Sequence, residues 1–156
     1  MRILYGVQTT GNGHISRSRE VIGELKKLGH EVHALFSGRE PEMQSEFQEF
    51  EPYQIFRGLT FCTNRGKLKY FQTALNLNFF QFYRDIASFD ELDYDLVISD
   101  FEPISTRVAR RKSLPSIGVG HQYAFVHKVP IGGDNPLGWF VIKNFAPVDY
   151  PIGLHW

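Results

Sequence analysis

The sequence predicts an α/β domain built on a parallel sheet with helices on both faces. Two patterns and the chain's size carry this. The apolar run Ile3-Leu4-Tyr5-Gly6-Val7 leads through a glycine-bearing turn into apolar residues at helical spacing, then into a second apolar run. Two more apolar runs, Asp95 to Ser99 and Ser116 to Gly120, flank a second helical segment, and such strand–helix–strand units build parallel sheets. At 156 residues and 42% hydrophobic content, the chain suits one compact domain with a real core.

Taken in order, Ile3 to Val7 reads as a buried strand and Gln8 to Gly13 as a polar turn. From His14 to Leu28, Ile15, Val21, Ile22, Leu25 and Leu28 recur at helical spacing, and Gly29 closes the helix. Val32 to Phe36 is a second strand, ended by Ser37-Gly38, and Tyr53 to Phe56 a third. Lys67 to Phe89 reads as an unusually aromatic helix. A fourth strand, Asp95 to Ser99, ends at Asp100. Glu102 to Lys112 is helical with Pro103 in its first turn, and Ser116 to Gly120 is the fifth strand. Pro130, Gly132, Gly133, Pro136 and Gly138 mark a loop-rich stretch. Asp149 to Trp156 is expected to contain neither helix nor strand. There is no internal repeat and no low-complexity tract.

Composition removes several classes of function. Lys+Arg and Asp+Glu each number 17, so the basic excess of a nucleic-acid-binding domain is missing. The single cysteine, Cys62, forms no intrachain disulfide and suits a reducing cytoplasm. The N-terminus enters a strand directly, without the apolar run of a signal peptide. No stretch has the roughly 18 apolar residues of a membrane span.

The first turn is the chemical centre of the sequence. A P-loop needs Lys-Ser/Thr after its last glycine, whereas Asn12 follows Gly11. A dinucleotide fingerprint fits Gly11 and Gly13, but Ser16 holds the third glycine position, and Ser37-Gly38-Arg39 stands where an acidic residue should close the second strand. Nicotinamide or flavin binding is therefore a second choice, and no cofactor is expected. What remains is a Rossmann-like turn that sets His14 at a helix N-terminus. The positive end of that helix disfavours imidazolium, so His14 should stay neutral and able to accept a proton. The plainer reading is a glycine-shaped turn capped by His14.

Asp100 follows the fourth strand at its carboxyl end, where ligands bind in open α/β sheets. The first and fourth strands neighbour each other in the common order, so Asp100 could reach His14, fix its tautomer and stabilise the imidazolium as it forms. Its other reading is an N-cap for the next helix. Glu102 is a similar, weaker case. His121 lies at the carboxyl end of the fifth strand after Gly118 and Gly120, which suggest close packing or close ligand approach. His30 and His33 start the second strand at the opposite end, and His127 and His155 lack supporting context. No residues have metal-ligand spacing.

The aromatic segment divides by helical face. Phe71, Leu75, Phe79 and Phe82 read as core. Tyr70, Phe80 and Tyr83, with Lys67, Lys69 and Arg84, read as an acceptor cleft, a membrane surface, a dimer contact or a face covered by a second domain. Part of the segment is expected to be exposed.

These residues carry a family resemblance. Val7-Gln8-Thr9-Thr10-Gly11-Asn12-Gly13-His14-Ile15-Ser16-Arg17, followed by Leu28-Gly29-His30-Glu31-Val32, resembles the opening of GT-B glycosyltransferases. It is similar to the lipid-linked N-acetylglucosaminyltransferase of peptidoglycan synthesis and to UDP-glycosyltransferases. Ser99-Asp100-Phe101-Glu102-Pro103 and Gly118-Val119-Gly120-His121-Gln122 resemble a bacterial and archaeal branch of glycosyltransferase-like proteins, some labelled teichoic acid biosynthesis proteins. The resemblance covers residues 1 to about 40 and 94 to 125.

The resemblance implies one half of a GT-B fold, with residues 1–145 as the N-terminal, acceptor-side domain and 146–156 as the start of a linker. A C-terminal domain holding the nucleotide sugar is then expected beyond the chain, and the isolated domain should be inactive. In several UDP-glycosyltransferases a histidine at the position matching His14 is the general base and an aspartate matching Asp100 assists it, so the resemblance implies these roles for His14 and Asp100. Gly11, Asn12, Gly13, Arg17, Glu102, His121 and Gln122 are the expected acceptor- or ligand-lining residues. The implied partners are a nucleotide-sugar donor, such as a UDP-sugar, a sugar or lipid-linked acceptor, and a peripheral membrane contact. The implied setting is inverting hexosyl transfer in cell-envelope glycan or glycolipid synthesis, in the cytoplasm at the inner membrane face. A non-catalytic ligand- or partner-binding domain and half of a sugar-nucleotide epimerase stand as alternatives.

Overall fold

The computed structural model describes residues 1–10, 12–38, 47–59, 63–64, 67–68, 78–127 and 136–154. β1 (Arg2–Gln8) runs up the middle of the sheet and is buried from Ile3 onward. Its alternating side chains serve two faces, as the pleat requires. Ile3, Tyr5 and Val7 enter one core and Leu4 the other. α1 (Asn12–Lys27) lays Ile15, Val21, Ile22 and Leu25 on the first face. Gly29 ends it at φ +82, with its N–H on the Lys26 carbonyl, a left-handed stop that a side chain would strain.

β2 (Glu31–Ser37) pairs in parallel with β1, and β3 (Tyr53–Phe56) in parallel with β2. β4 (Thr63–Asn64) and β5 (Lys67–Leu68) form a separate antiparallel pair. α2 (Phe79–Ala87), β6 (Leu96–Asp100) and α3 (Pro103–Lys112) follow. Phe82 and Ile86 of α2 pack with Leu4, Val97, Ile104 and Val108 on the second face. β7 (Ser116–Gly120), α4 (His121–Ala124), α5 (Pro136–Phe145) and β8 (Tyr150–Gly153) complete the described chain. The six-stranded sheet has the order β3-β2-β1-β6-β7-β8, and every pairing in it is parallel. The fold class is the one expected: an α/β, Rossmann-like sheet with helices on both faces.

Three expectations need correction. The segment from Lys67 to Phe89 is not one helix. Lys67–Leu68 is a strand, and helix starts at Phe79, where the Asn78 side chain accepts from the Gln81 N–H at 3.0 Å. The aromatic periodicity ran through this cap and hid it; Lys69, Tyr70, Phe71 and Leu75 lie outside the described residues. Pro136 and Gly138, expected in a loop-rich stretch, lie in a helix, Pro136–Phe145: a proline in the first turn gives up an N–H that would have no helical partner anyway. The closing residues do contain a strand, β8, parallel to β7. It forms the sheet edge, where the missing N–H of Pro151 is tolerated, and it carries the sheet past residue 145 to Gly153.

Candidate active site

The sheet order runs from β1 toward β3 on one side and from β6 toward β8 on the other, so the chain's direction of winding reverses between β1 and β6. Open parallel sheets bind ligands in the crevice at such a switch point. Val7 and Asp100 are register partners, so β1 and β6 end level, and α1 begins just beyond.

Here His14 and Asp100 meet. His14 Nδ1 lies 2.7 Å from Asp100 Oδ1, with the aspartate side chain fully buried and the histidine side chain 13% exposed. Arg17, one turn further along α1, grips the same carboxylate with two donors: Nε to Oδ2 at 2.9 Å and a terminal nitrogen to Oδ1 at 2.6 Å. The Ser18 hydroxyl donates to Oδ2 at 3.4 Å. The Arg17 nitrogen also stands 3.3 Å from His14 Nδ1, but both groups donate to the carboxylate, so they share an acceptor rather than bond each other. Asp100 thereby places the ring proton on Nδ1 and leaves the lone pair on Nε2. The Gln122 amide nitrogen faces that lone pair at 3.4 Å, and the amide oxygen is buried without a partner among the described residues. Gly120 is what lets β7 come this close, since a Cβ there would stand 3.1 Å from Asp100 Oδ1. Below the carboxylate, burial pushes the Tyr5 phenol well above its usual range, so it stays neutral.

The chain turns sharply after Asp100. Phe101 adopts φ +55, unusual for a bulky residue, and Glu102 is sent into the interior. Glu102 is the N-cap of α3, so the cap considered for Asp100 falls to it. Its two oxygens accept from the N–H groups of Ile104 and Ser105 at 2.8 and 2.6 Å, and the Ser37 hydroxyl donates at 2.7 Å. Burial raises its pKa while these donors oppose the rise. With no exposed surface and both oxygens occupied, Glu102 is a structural cap and not the ligand contact expected.

The remaining expected residues divide. Gln122 is brought to the site. His121 is not: its Nδ1 meets the Leu154 carbonyl at 3.1 Å, and its ring sits edge-on to Phe125 at 5.2 Å. Gly118 makes room for the Tyr123 ring, which is the close packing considered for it. Arg17, expected at the ligand, is engaged with Asp100 instead. Gly13 lies in the first turn of α1 with open space where a Cβ would stand, Asn12 begins the helix, and Gly11 lies outside the described residues. The clamp of Arg17 on Asp100 escaped sequence reasoning, although the three-residue spacing from His14 was its available signal.

His33 is held at the far end of the sheet, half-buried against Tyr94 and Phe89. Among the described residues no group of three or more His, Cys, Asp or Glu is placed to hold a metal ion. No helix among them is long and apolar enough to cross a membrane. A cleft of about 1030 Å³ opens at the amino end of β7, lined by Tyr83, Arg107, Arg110, Asn144 and Asp149 among others, and contains none of the residues around His14.

Solved glycosyltransferases share this fold. MurG of Acinetobacter baumannii aligns with a TM-score of 0.51 at 16% identity, over 93% of this chain and 39% of its own. SsfS6 of Streptomyces sp. SF2575 aligns at 0.57 and 16% identity, over 99% of this chain and 49% of its own. A second structure of SsfS6 is complexed with thymidine diphosphate. The spinosyn rhamnosyltransferase SpnG aligns at 0.54 and 21% identity, over 76% of this chain and 34% of its own. The chain thus spans less than half the length of each of these structures. At these identities the likeness is one of fold, the Rossmann-like unit of GT-B glycosyltransferases. No curated protein sequence matches the chain. Residues 1–130 match the family model described as glycosyl transferase family 1. The chain belongs to glycosyl transferase family 1.

Proposed function

We propose that this chain is the acceptor-side domain of an inverting glycosyltransferase with a nucleotide-sugar donor, and that His14 is its general base. The observation that supports this most is the imidazole at the switch point with its Nδ1 2.7 Å from Asp100, a contact that orients a neutral ring with Nδ1 donating and Nε2 left to accept. In the proposed reaction the acceptor hydroxyl displaces the Gln122 amide and gives its proton to Nε2. The resulting oxygen nucleophile attacks the anomeric carbon, and the nucleoside diphosphate departs from the opposite face, which inverts the configuration. Asp100 stabilises the imidazolium that forms. A second domain supplies the donor, and the domain described here is inactive without it.

The wider setting is part of the same proposal: hexosyl transfer from a UDP-sugar to a sugar or lipid-linked acceptor, in cell-envelope glycan synthesis of the teichoic acid type, in the cytoplasm at the inner membrane face. Its support is the branch-specific motifs around Asp100 and His121 and the exposed aromatic residues of α2, beside Arg84. The test joins the chain to its donor-binding domain, screens nucleotide sugars by thermal shift, and then compares turnover of the native protein and His14→Ala. A loss of turnover with the fold intact supports the base; unchanged turnover assigns His14 to structure.

A further inference from the structure

We infer that Arg17 is a positioning residue that keeps the His14 ring neutral and able to accept a proton, by sharing the negative charge of Asp100. The inference rests on His14 being the base, yet its test needs no turnover.

A buried carboxylate 2.7 Å from an imidazole creates a difficulty for base catalysis. It orients the ring, but in a poorly solvated site it also favours a second proton on that ring, because an imidazolium–carboxylate pair compensates the buried charge. An imidazolium has no lone pair and cannot act as a base. The fork of Arg17 removes the difficulty. Its two donors occupy both oxygens of Asp100, so the set of Arg17, Asp100 and a neutral His14 already sums to zero charge. A second ring proton would leave that set with a net positive charge, its side chains at most 16% exposed and a guanidinium nitrogen 3.3 Å from Nδ1. The N-terminal end of α1 acts in the same direction.

Among the described residues, the other groups facing this cluster do not supply a competing charge. Gln122 of α4 presents an amide to Nε2, Ser18 of α1 a hydroxyl to the carboxylate, and Tyr5 of β1 a phenol that burial keeps neutral. The consequence is a division of labour within one turn of helix. Asp100 fixes the tautomer and direction of the ring, while Arg17 prevents that same carboxylate from holding the ring in its protonated form. When the acceptor hydroxyl delivers its proton, Asp100 is still in place to stabilise the product.

The chain is labelled with 15N-histidine, and the ring nitrogens of His14 are observed by long-range 1H–15N correlation at neutral pH, with backbone spectra reporting the fold. The native ring is expected neutral with its proton on Nδ1. Arg17→Gln is expected to shift the ratio of protonated to neutral ring upward by about tenfold or more. Adding Asp100→Asn to that variant should restore a neutral ring. Arg17→Lys keeps a charge without the fork and should fall between native and Arg17→Gln; it also carries the test if Arg17→Gln does not fold. A native ring that is already imidazolium overturns the inference, as does a protonation ratio unchanged in both variants. Neither result depends on the turnover of His14→Ala, so failure here is distinguishable from failure of the proposed base.

Discussion

Nδ1 of His14 stands 2.7 Å from Oδ1 of Asp100, two residues 86 positions apart that meet because β1 and β6 lie side by side. The two halves of this contact should respond differently to mutation. His14→Ala removes a ring only 13% exposed, but Arg17 and Ser18 still hold Asp100, so it should cost less stability than loss of Asp100, while lowering turnover of the proposed two-domain enzyme by about 10²–10⁴. Asp100→Ala strands the Arg17 guanidinium in a largely buried site, and it should cost about 3 kcal/mol as well as activity. Urea unfolding and steady-state rates on the same pair of variants separate the effects. Equal stability losses in both would contradict this division.

Gln122 faces the one nitrogen of His14 that can accept a proton. In the proposed reaction its amide stands where the acceptor hydroxyl would bind. Gln122→Ala should uncover Nε2 and speed its acylation by diethyl pyrocarbonate several-fold, followed by mass spectrometry of the His14 peptide. If modification is no faster in the variant, Gln122 does not cover the ring in solution.

Glu102 should behave as a cap rather than as part of the site. Glu102→Ala leaves the N–H groups of Ile104 and Ser105 without their acceptor, returns the Ser37 hydroxyl to Gln8 Oε1 alone, and empties a fully buried position. A loss of about 2–4 kcal/mol is expected by chemical denaturation, from the cap and the cavity together. The His14 ring signals should remain native-like. A stable variant with altered ring signals would return Glu102 to the site.

Local signals in the sequence marked much of this. Alternating burial in β1, the helical spacing of Ile15, Val21, Ile22 and Leu25, and the stop at Gly29 are short-range patterns, and the structure follows them. The contact of His14 with Asp100 was within reach because both residues follow strands at their carboxyl ends. What escaped depends on partners distant in sequence. β8 holds a proline and two exposed side chains and is a strand only because β7 offers its edge. Glu102 and Asp100 lie two residues apart with carboxylates in both, and only the left-handed turn at Phe101 decides which of them caps α3. Arg17 has an ordinary helical position until Asp100 is brought against it.

His33 gives a pH dependence with a definite sign. Burial lowers its pKa below the ordinary 6.5, and Tyr94, its hydrogen-bond partner, is pushed up to about 12, so the pair is packed neutral. The unfolded chain therefore binds a proton at a higher pH than the folded one. Stability contributed by the neutral ring is present above about 6.5 and is lost as pH falls below it, toward the depressed folded value. Thermal unfolding of the native chain should show this decline, and His33→Gln should flatten it. An identical slope in the variant would assign the decline to other groups.

The aromatic face of α2 carries the proposal of membrane contact. Phe82 is buried, as expected, but Phe79, assigned to the same core face, is 55% exposed, and Phe80 and Tyr83 are 73% and 67% exposed. The helix begins only at Phe79, after the Asn78 cap, so Phe79 and Phe80 stand in its first turn rather than in the middle of a longer buried face. Arg84 lies over the Phe80 ring at 5.9 Å, placing a cation beside the apolar surface. Aromatic side chains with an adjacent arginine suit the interfacial zone of an anionic bilayer, where rings enter the headgroup region and the cation meets phosphate. Co-sedimentation should therefore be stronger with anionic than with zwitterionic liposomes and should weaken with salt. Phe80→Ser with Tyr83→Ser should reduce it several-fold while changing stability by about 0.5 kcal/mol or less, because neither ring is packed in the core. Binding that ignores lipid charge, or that survives loss of both rings, would leave this face to a protein partner instead.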